Sequence, residues 1–368
     1  ALAGADDVYD AAFRRAGMLR VVEIEELFDA VATLSRIGMP AGDRLAIVTN
    51  GGGPGVLATD TLIAEGGGLA SLSAETIARL DAALPTSWSG ANPVDIIGDA
   101  DSNRYEASMA ALLRDAGNDA VLVCHCPTAI VSPREAADGV VRALERSHAA
   151  GERRKTVLAS WLGDASVREG RERLTAAGIA QYDTPERAVR AFMRMIAYRN
   201  NQALLMETPA AHAMPGPADA ATVRAIIGEA LRSNRAWLDT VDVARVLAAY
   251  GIPSPRAEIA ESAAEAGDIA ARFGGSVALK IRSAAIVHKS DVGGVALGLS
   301  GRDEVRVAAQ AMLERVGRAV PGANVDGFLV QEMVSRPRAI ELIAGLAVDR
   351  TFGPVVLFGG GGTAVEVL

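Results

Sequence analysis

The chain has 368 residues and a formal net charge of −8; half of its residues are hydrophobic but only 4% are aromatic. That length suits two or three domains of about 100 to 200 residues, the aromatic-poor composition is that of a tightly packed α/β protein rather than a β-sandwich, and the acidic balance excludes the basic field that holds a nucleic-acid backbone. No apolar run of about 18 residues and no secretory pattern is found, so no segment reads as spanning or crossing a membrane, and the cytoplasm is the expected compartment.

Residues 1–38 read as two helices, "ADDVYDAAFRRAG" ending at Gly17 and "EIEELFDAVATLSR" ending near Gly38, with apolar residues at helical spacing. They have no strand before them and no core of their own. They are expected to be the end of a preceding domain, in a polypeptide that starts upstream.

From residue 43 strands and helices alternate, with "RLAIVTN", "DAVLVCHC", "TVLASWL" and the shorter "GIAQY" as strands. Such repeated βα units imply a mostly parallel sheet covered on both faces, over residues 39–200, closed by a helix at about 184–199. Cys124 and Cys126 flank His125 at the end of one strand. They are too close for an ordinary disulfide framework, alternation sends His125 to the opposite face, and no second Cys/His pair completes four zinc ligands, so buried strand residues are expected.

"NGGGPGVLATD" at 50–60 sets four glycines after a strand and before a helix, where backbone N–H groups and the helix dipole suit a phosphate. The same pattern equally describes a tight turn packing helix on sheet. The spacing is not the dinucleotide G-x-G-x-x-G, which disfavours a nicotinamide cofactor. "NPVDIIGDAD" at 92–101 places Asp95 in a loop beyond the sheet edge, with Asn92 and Pro93 as ordinary turn formers.

Residues 201–236, rich in Pro and Ala, read as an interdomain linker followed by a helix. Beyond it, over 237–368, come a helix stopped at Gly251, a helix at 261–274, and strands "SVALKIR", "GVALGLS", "GFLVQEM", "AIELIAGLAV" and "PVVLFG", an α+β order with hairpin-like strands. "ALKIRSAAIVHKSDVGGVALGL" at 278–299 gathers Lys280, His288, Lys289, Gly293 and Gly294 between two strands. Two cations on a glycine turn suit triphosphate oxygens, and a neutral imidazole suits a phosphoryl acceptor. Glu332 and Glu341 sit on or at the ends of apolar strands, where a carboxylate could take an adenosine hydroxyl or magnesium, although the pattern alone favours a solvated edge; Glu366 follows a second glycine run.

"NGGGPGVLATD", "LPTSWSGANPVDIIGDA", "YGIPSP", "ALKIRS", "HKSDVGGV" and "FGPVVLFGGGG", in this order and spacing, resemble the ADP-forming acyl-CoA synthetases, relatives of succinyl-CoA synthetase. The resemblance implies a flavodoxin-like, doubly wound, succinyl-CoA-synthetase-like domain followed by an incomplete ATP-grasp domain. It implies ATP/ADP, Mg2+ and CoA as cofactors, a small carboxylate as substrate, an oligomer, and passage through an acyl phosphate and a phosphohistidine. Asn50, Gly51, Gly52 and Gly53 would cap the helix that stabilises the phosphohistidine, with Asp95 nearby. Lys280, Lys289, Gly293 and Gly294 would hold nucleotide phosphates, His288 would accept a phosphoryl group transiently, Glu332 would lie near the adenosine, and Glu341 and Glu366 would take magnesium. In the family the principal phosphorylated histidine precedes "ALAG", with which this chain opens, so this chain alone is expected to be inactive. The alternative is a catalytically silent synthetase-like region of a protein lysine acetyltransferase, with a fused N-acetyltransferase domain.

Overall fold

The computed structural model describes residues 6–36, 38–208, 219–283, 285–286 and 288–361. Two compact units emerge, residues 1–208 with 346–356, and 209–345 with 357–368.

The first unit opens with α1 (Asp6–Arg15) and α2 (Ile24–Arg36), each with acidic residues in its first turn, where they complement the helix dipole. Strand β1 (Arg44–Thr49) and α3 (Gly52–Ala64) follow, then β2 (Gly68–Leu69), α4 (Ala74–Ala83), β3 (Val94–Asp95) and α5 (Ser102–Arg114). The unit continues through β4 (Ala120–His125), α6 (Pro133–Ala149), β5 (Thr156–Trp161), α7 (Arg168–Ala176), β6 (Ala180–Tyr182) and α8 (Pro185–Met206). Side-chain caps at Ser73, Asp101, Ser132 and Thr184 start α4, α5, α6 and α8.

The sheet order is β2-β1-β4-β5-β6, all parallel, the flavodoxin-type order, with β3 beside the far end of β1. Alternation along the strands splits the core into two layers. Ala46, Val48, Val121, Val123, Val157 and Ala159 pack with residues of α4 to α7. Leu45, Ile47, Leu122, Cys124 and Leu158 pack under α3 and α8. Both faces being covered, β4 and β5 are buried along their whole length, which is why they read as continuous apolar runs. Helix α2 is held on α8 by ion pairs from Asp29 to Arg187, two bonds of 3.0 Å, and from Glu26 to Arg194 at 3.3 Å.

The second unit holds α9 (Ala220–Arg232), α10 (Thr240–Ala249), β7 (Ala257–Ala260), α11 (Ala263–Phe273), β8 (Ser276–Arg282), β9 (Val295–Ser300), α12 (Arg302–Ala319) and β10 (Gly327–Glu332). Its antiparallel sheet runs β7-β10-β8-β9. Val277, Leu279, Ile281, Phe328 and Val330 point to one face, where they meet Ile269 and Phe273 of α11 and Val305, Ala309, Met312 and Val316 of α12. Lys280 and Arg282 alternate to the other face. A separate two-stranded sheet joins β11 (Leu342–Asp349) to β12 (Gly353–Gly360). No described helix is long and apolar enough to cross a membrane.

Three features depart from the sequence-based expectation. Helix α8 runs on to Met206, so the first residues of the expected linker are helical, while 209–218 lie outside the described residues. Asp95 is not in a loop beyond the edge but on β3, which pairs with β1 through Val48↔Val94 and Thr49↔Asp95. The second unit contains β7, at four residues too short to read locally, and α12, which links β9 to β10.

Candidate functional site

The first candidate site is built where β1 ends. Thr49 is fully buried, and its hydroxyl folds onto the next turn, accepting from the Gly51 amide at 3.1 Å and donating to the Gly51 carbonyl at 2.7 Å. Helix α3 then starts with Gly51 as its N-cap, in extended backbone and without any side-chain cap. Asn50, expected to cap this helix, does something else: its amide donates to the Cys126 carbonyl at 2.9 Å and its oxygen accepts from the Cys126 amide at 2.7 Å. The side chain thereby ties the ends of β1 and β4 together, leaving the first-turn N–H groups of α3 without a side-chain partner.

The four glycines differ in what demands them. A Cβ on Gly51 would stand 2.9 Å from the Cys126 sulfur, and one on Gly55 would stand 3.0 Å from Thr49 Cγ2 and 3.3 Å from Pro93 Cβ, so these two are glycine for packing. A Cβ on Gly52 would meet only Asp95 Oδ2 at 3.6 Å, and on Gly53 nothing within 4 Å. Both are exposed, and packing does not require glycine there. Asp95 faces this helix start; its other oxygen accepts from the Ile97 amide at 2.9 Å, within a turn where Ile97 takes a positive φ of 70°.

Behind this turn, His125 is 1% exposed, stacked on Trp161 with ring centroids 5.3 Å apart, and hydrogen-bonded through Nδ1 to the Tyr105 hydroxyl at 2.8 Å. Burial lowers its pKa from 6.5 to about 4, so the ring is neutral at neutral pH. Burial also pushes the thiols of Cys124 and Cys126 up, with Asp95 adding to the effect at Cys126. Cys124 packs under α8 while His125 lies against Tyr105 and Trp161, on opposite faces of β4.

Asn92, read from sequence as a turn former, has a larger role. Its side chain accepts from the Ile47 amide at 2.9 Å and donates to the carbonyls of Leu45 at 3.0 Å and Ala70 at 2.9 Å. It fills the gap in the ladder between β2 and β3 on the edge of β1, and so fixes the segment that carries Asp95. No local signal marks it, because all three partners are distant in sequence.

The second candidate site lies in the other unit, on the link from β8 to β9. Here Gly293 donates to the Ser290 carbonyl at 3.1 Å and Gly294 to the Lys289 carbonyl at 2.7 Å, closing a tight turn. Gly293 has φ +68°, and a Cβ on Gly294 would meet Ile281 Cγ2 at 2.6 Å and the Lys289 carbonyl at 2.9 Å. Lys289 is half-buried on this turn, and His288 is exposed with no hydrogen bond to another described residue. Lys280 donates to Gln331 Oε1 at 2.8 Å on the sheet face away from α11 and α12. Glu332 lies at the far end of β8 from the turn, opposite Val277. At about 3.3 Å per residue that is roughly 13 Å along the strand from Ile281. A residue unmarked in the sequence, Arg256, bonds Glu332 at 3.2 Å and stacks over Phe273 at 4.8 Å, and its guanidinium holds the Glu332 carboxyl below the usual carboxylate range. Glu341 is exposed just before β11, with its carbonyl accepting from Gly361 at 2.8 Å. Glu366 lies outside the described residues. Among the described residues no three carboxylate, imidazole or thiol groups converge as a metal cage.

Three family models match the sequence: a succinyl-CoA ligase like flavodoxin domain at 1–34, a Ligase-CoA domain at 45–203 and an ATP-grasp domain at 229–368. The chain is 37% identical to an ADP-forming acetate–CoA ligase of Archaeoglobus fulgidus over all of this chain and 50% of that protein. It is 31% identical to an ADP-forming 4-hydroxybutyrate–CoA ligase of Nitrosopumilus maritimus, over all of this chain and 51% of the relative. The chain thus spans about half the length of these relatives. Among solved structures, the dinucleotide-forming acetyl-coenzyme A synthetase 1 of Ca. Korarchaeum cryptofilum in complex with phosphate and ADP superposes with a TM-score of 0.52 at 34% identity, covering 56% of this chain and 44% of that one.

Proposed function

The chain belongs to the ADP-forming acyl-CoA synthetase family, and from that premise we propose that it contributes the ligase and nucleotide parts of an enzyme making acyl-CoA from a carboxylate, CoA and ATP, with release of ADP and phosphate. What carries the reading is that the candidate phosphate-binding turns of both units lie in one chain that aligns over its whole length with half of an acetate–CoA ligase.

In this reading the phosphoryl group visits two places. At the start of α3, the exposed amides of Gly52 and Gly53 and the helix dipole stabilise a phosphorylated histidine, with Asp95 beside it. Support comes from Gly53, which is glycine without a packing reason, as close approach of a ligand to the backbone demands. Thr49, Asn50 and Asn92 hold the turn in place through the bonds described above.

In the second unit the nucleotide lies along the face of β8 that carries Lys280. Its phosphates lie at the turn with Lys289, Gly293 and Gly294, and its adenosine near Glu332. In this reading His288, exposed and without a hydrogen bond to any described residue, is the transient phosphoryl acceptor, a role its exposure allows. Magnesium usually binds through one or two carboxylates together with substrate phosphates rather than in an all-protein cage; Glu341 and Glu366 are the carboxylates that would hold it, and it would supply charge neutralisation at the phosphates. The lysine acetyltransferase alternative has no comparable support.

The experiment is to incubate the full-length protein with γ-labelled ATP, CoA and either acetate or 4-hydroxybutyrate. Acid-labile protein phosphorylation and CoA-dependent ADP release are expected; neither appearing with any short carboxylate sinks the synthetase reading.

A further inference from the structure

We propose that Arg315 is a positioning residue for the phosphate turn, anchoring residues 289–294 from helix α12 and so setting the enzyme's affinity for the polyphosphate part of its nucleotide. The proposal rests on the reading of that turn as a nucleotide phosphate site.

The side chain of Arg315 lies along Gly293. A Cβ on Gly293 would stand 3.2 Å from Arg315 Nε and 3.5 Å from its Cδ, and Arg315 Nη2 donates to the Gly293 carbonyl at 3.4 Å. The φ of +68° demands glycine at 293, and a Cβ there would also press on the Arg315 side chain. Within the turn, the bonds from Gly293 to Ser290 and from Gly294 to Lys289 tie it to itself, and Gly294 seats it against Ile281. Among the described residues, Arg315 supplies the one hydrogen bond that reaches the turn from outside β8, β9 and their connection.

The charge of Arg315 is otherwise unused. Among the described residues it forms no ion pair, whereas Arg302 and Arg306 of the same helix pair with Asp268 and Asp303. Ordering a long side chain costs rotamer entropy, which a bond to one exposed carbonyl hardly offsets. A guanidinium without an ion pair, set against Gly293 in the turn that also carries Lys289, instead raises the local positive potential where a phosphate is to arrive. Its base, next to Val316 and Met312 in the core, is fixed by α12. A phosphate turn held from a packed helix binds with less ordering cost than one free to swing.

The test uses the full-length protein with Arg315→Gln, Arg315→Lys and Arg315→Ala, titrated with ADP and with adenosine, alongside amide hydrogen exchange. Arg315→Gln is expected to raise the Kd for ADP about tenfold, the loss of one charge-assisted contact, with Arg315→Lys between it and wild type and adenosine affinity unchanged. Amides of 289–294 should exchange faster while those of α12 and the sheet do not. An ADP Kd within about twofold of wild type, or an equal loss for adenosine, overturns the role of Arg315. Wild-type protein that binds no ADP overturns the nucleotide reading itself and this inference with it.

Discussion

Asn50 and Cys126 exchange hydrogen bonds in both directions, 2.9 Å from the Asn50 amide to the Cys126 carbonyl and 2.7 Å from the Cys126 amide to the Asn50 oxygen. Asn50 is 3% exposed, so neither backbone group is readily satisfied by water once the side chain is gone. Asn50→Ala is expected to cost about 2 to 4 kcal/mol, measured by denaturant unfolding. Asn50→Asp retains the acceptor and sets a carboxylate against the Cys126 carbonyl, so it should destabilise as well. A loss below about 0.5 kcal/mol for both would mean the pair does not hold the glycine turn.

Gly53 and Gly55 offer a separation of fold from function within one helix turn. Gly53→Ala meets no neighbour within 4 Å at a first-turn position and should be neutral or stabilising by up to about 1 kcal/mol, while slowing phosphoryl transfer. Gly55→Ala presses on Thr49 and Pro93 and should cost about 1 to 3 kcal/mol. Equal activity of Gly53→Ala and wild type in the labelled-ATP assay would remove the backbone-approach argument at that position.

How much of this was legible depends on how local each signal is. β4 and β5 are fully buried parallel strands, and β1 is buried after Arg44; such strands announce themselves as apolar runs, as "RLAIVTN" and "TVLASWL" do. β3 is two residues long and exists because Asn92 bonds Leu45, Ile47 and Ala70, partners 22 to 47 residues away, which no window on the sequence contains. Helix α12 does carry a local signal, Val305, Ala309, Met312 and Val316 at helical spacing, masked by the flanking strands that read as a run of hairpins. In the candidate sites, glycines and cations were legible as types. Their division of labour was not: what separates Gly53 from Gly55, or couples Arg256 to Glu332 across 76 residues, is set by tertiary packing.

His125 gives the fold a pH dependence of defined sign. Its folded pKa, about 4, lies below the ordinary 6.5, so between these values the unfolded chain binds a proton that the folded chain refuses. Its contribution to stability is complete above pH 6.5 and is lost as pH falls towards 4, by on the order of 3 kcal/mol, below which it is flat. Unfolding measured at steps from pH 7 to pH 4 should show that loss, and His125→Gln should flatten it. An unchanged slope in the variant would assign the acid sensitivity to other groups.

Glu332 separates the two ends of the proposed nucleotide site. It is paired with Arg256 at an exposed strand end, where such pairs add little to stability, so Glu332→Gln should leave the thermal midpoint unchanged. Arg256 holds the carboxyl below the usual carboxylate range, so in the wild type it is a charged acceptor at neutral pH. If it takes an adenosine hydroxyl, Glu332→Gln weakens that charge-assisted bond, and ADP and adenosine should lose affinity by the same factor, roughly fivefold to tenfold. This is the opposite signature to Arg315→Gln, in which ADP alone is affected. A calorimetric titration in which Glu332→Gln binds both ligands as wild type does would leave Glu332 as the partner of Arg256 only, closing the end of β10 and taking no part in nucleotide recognition.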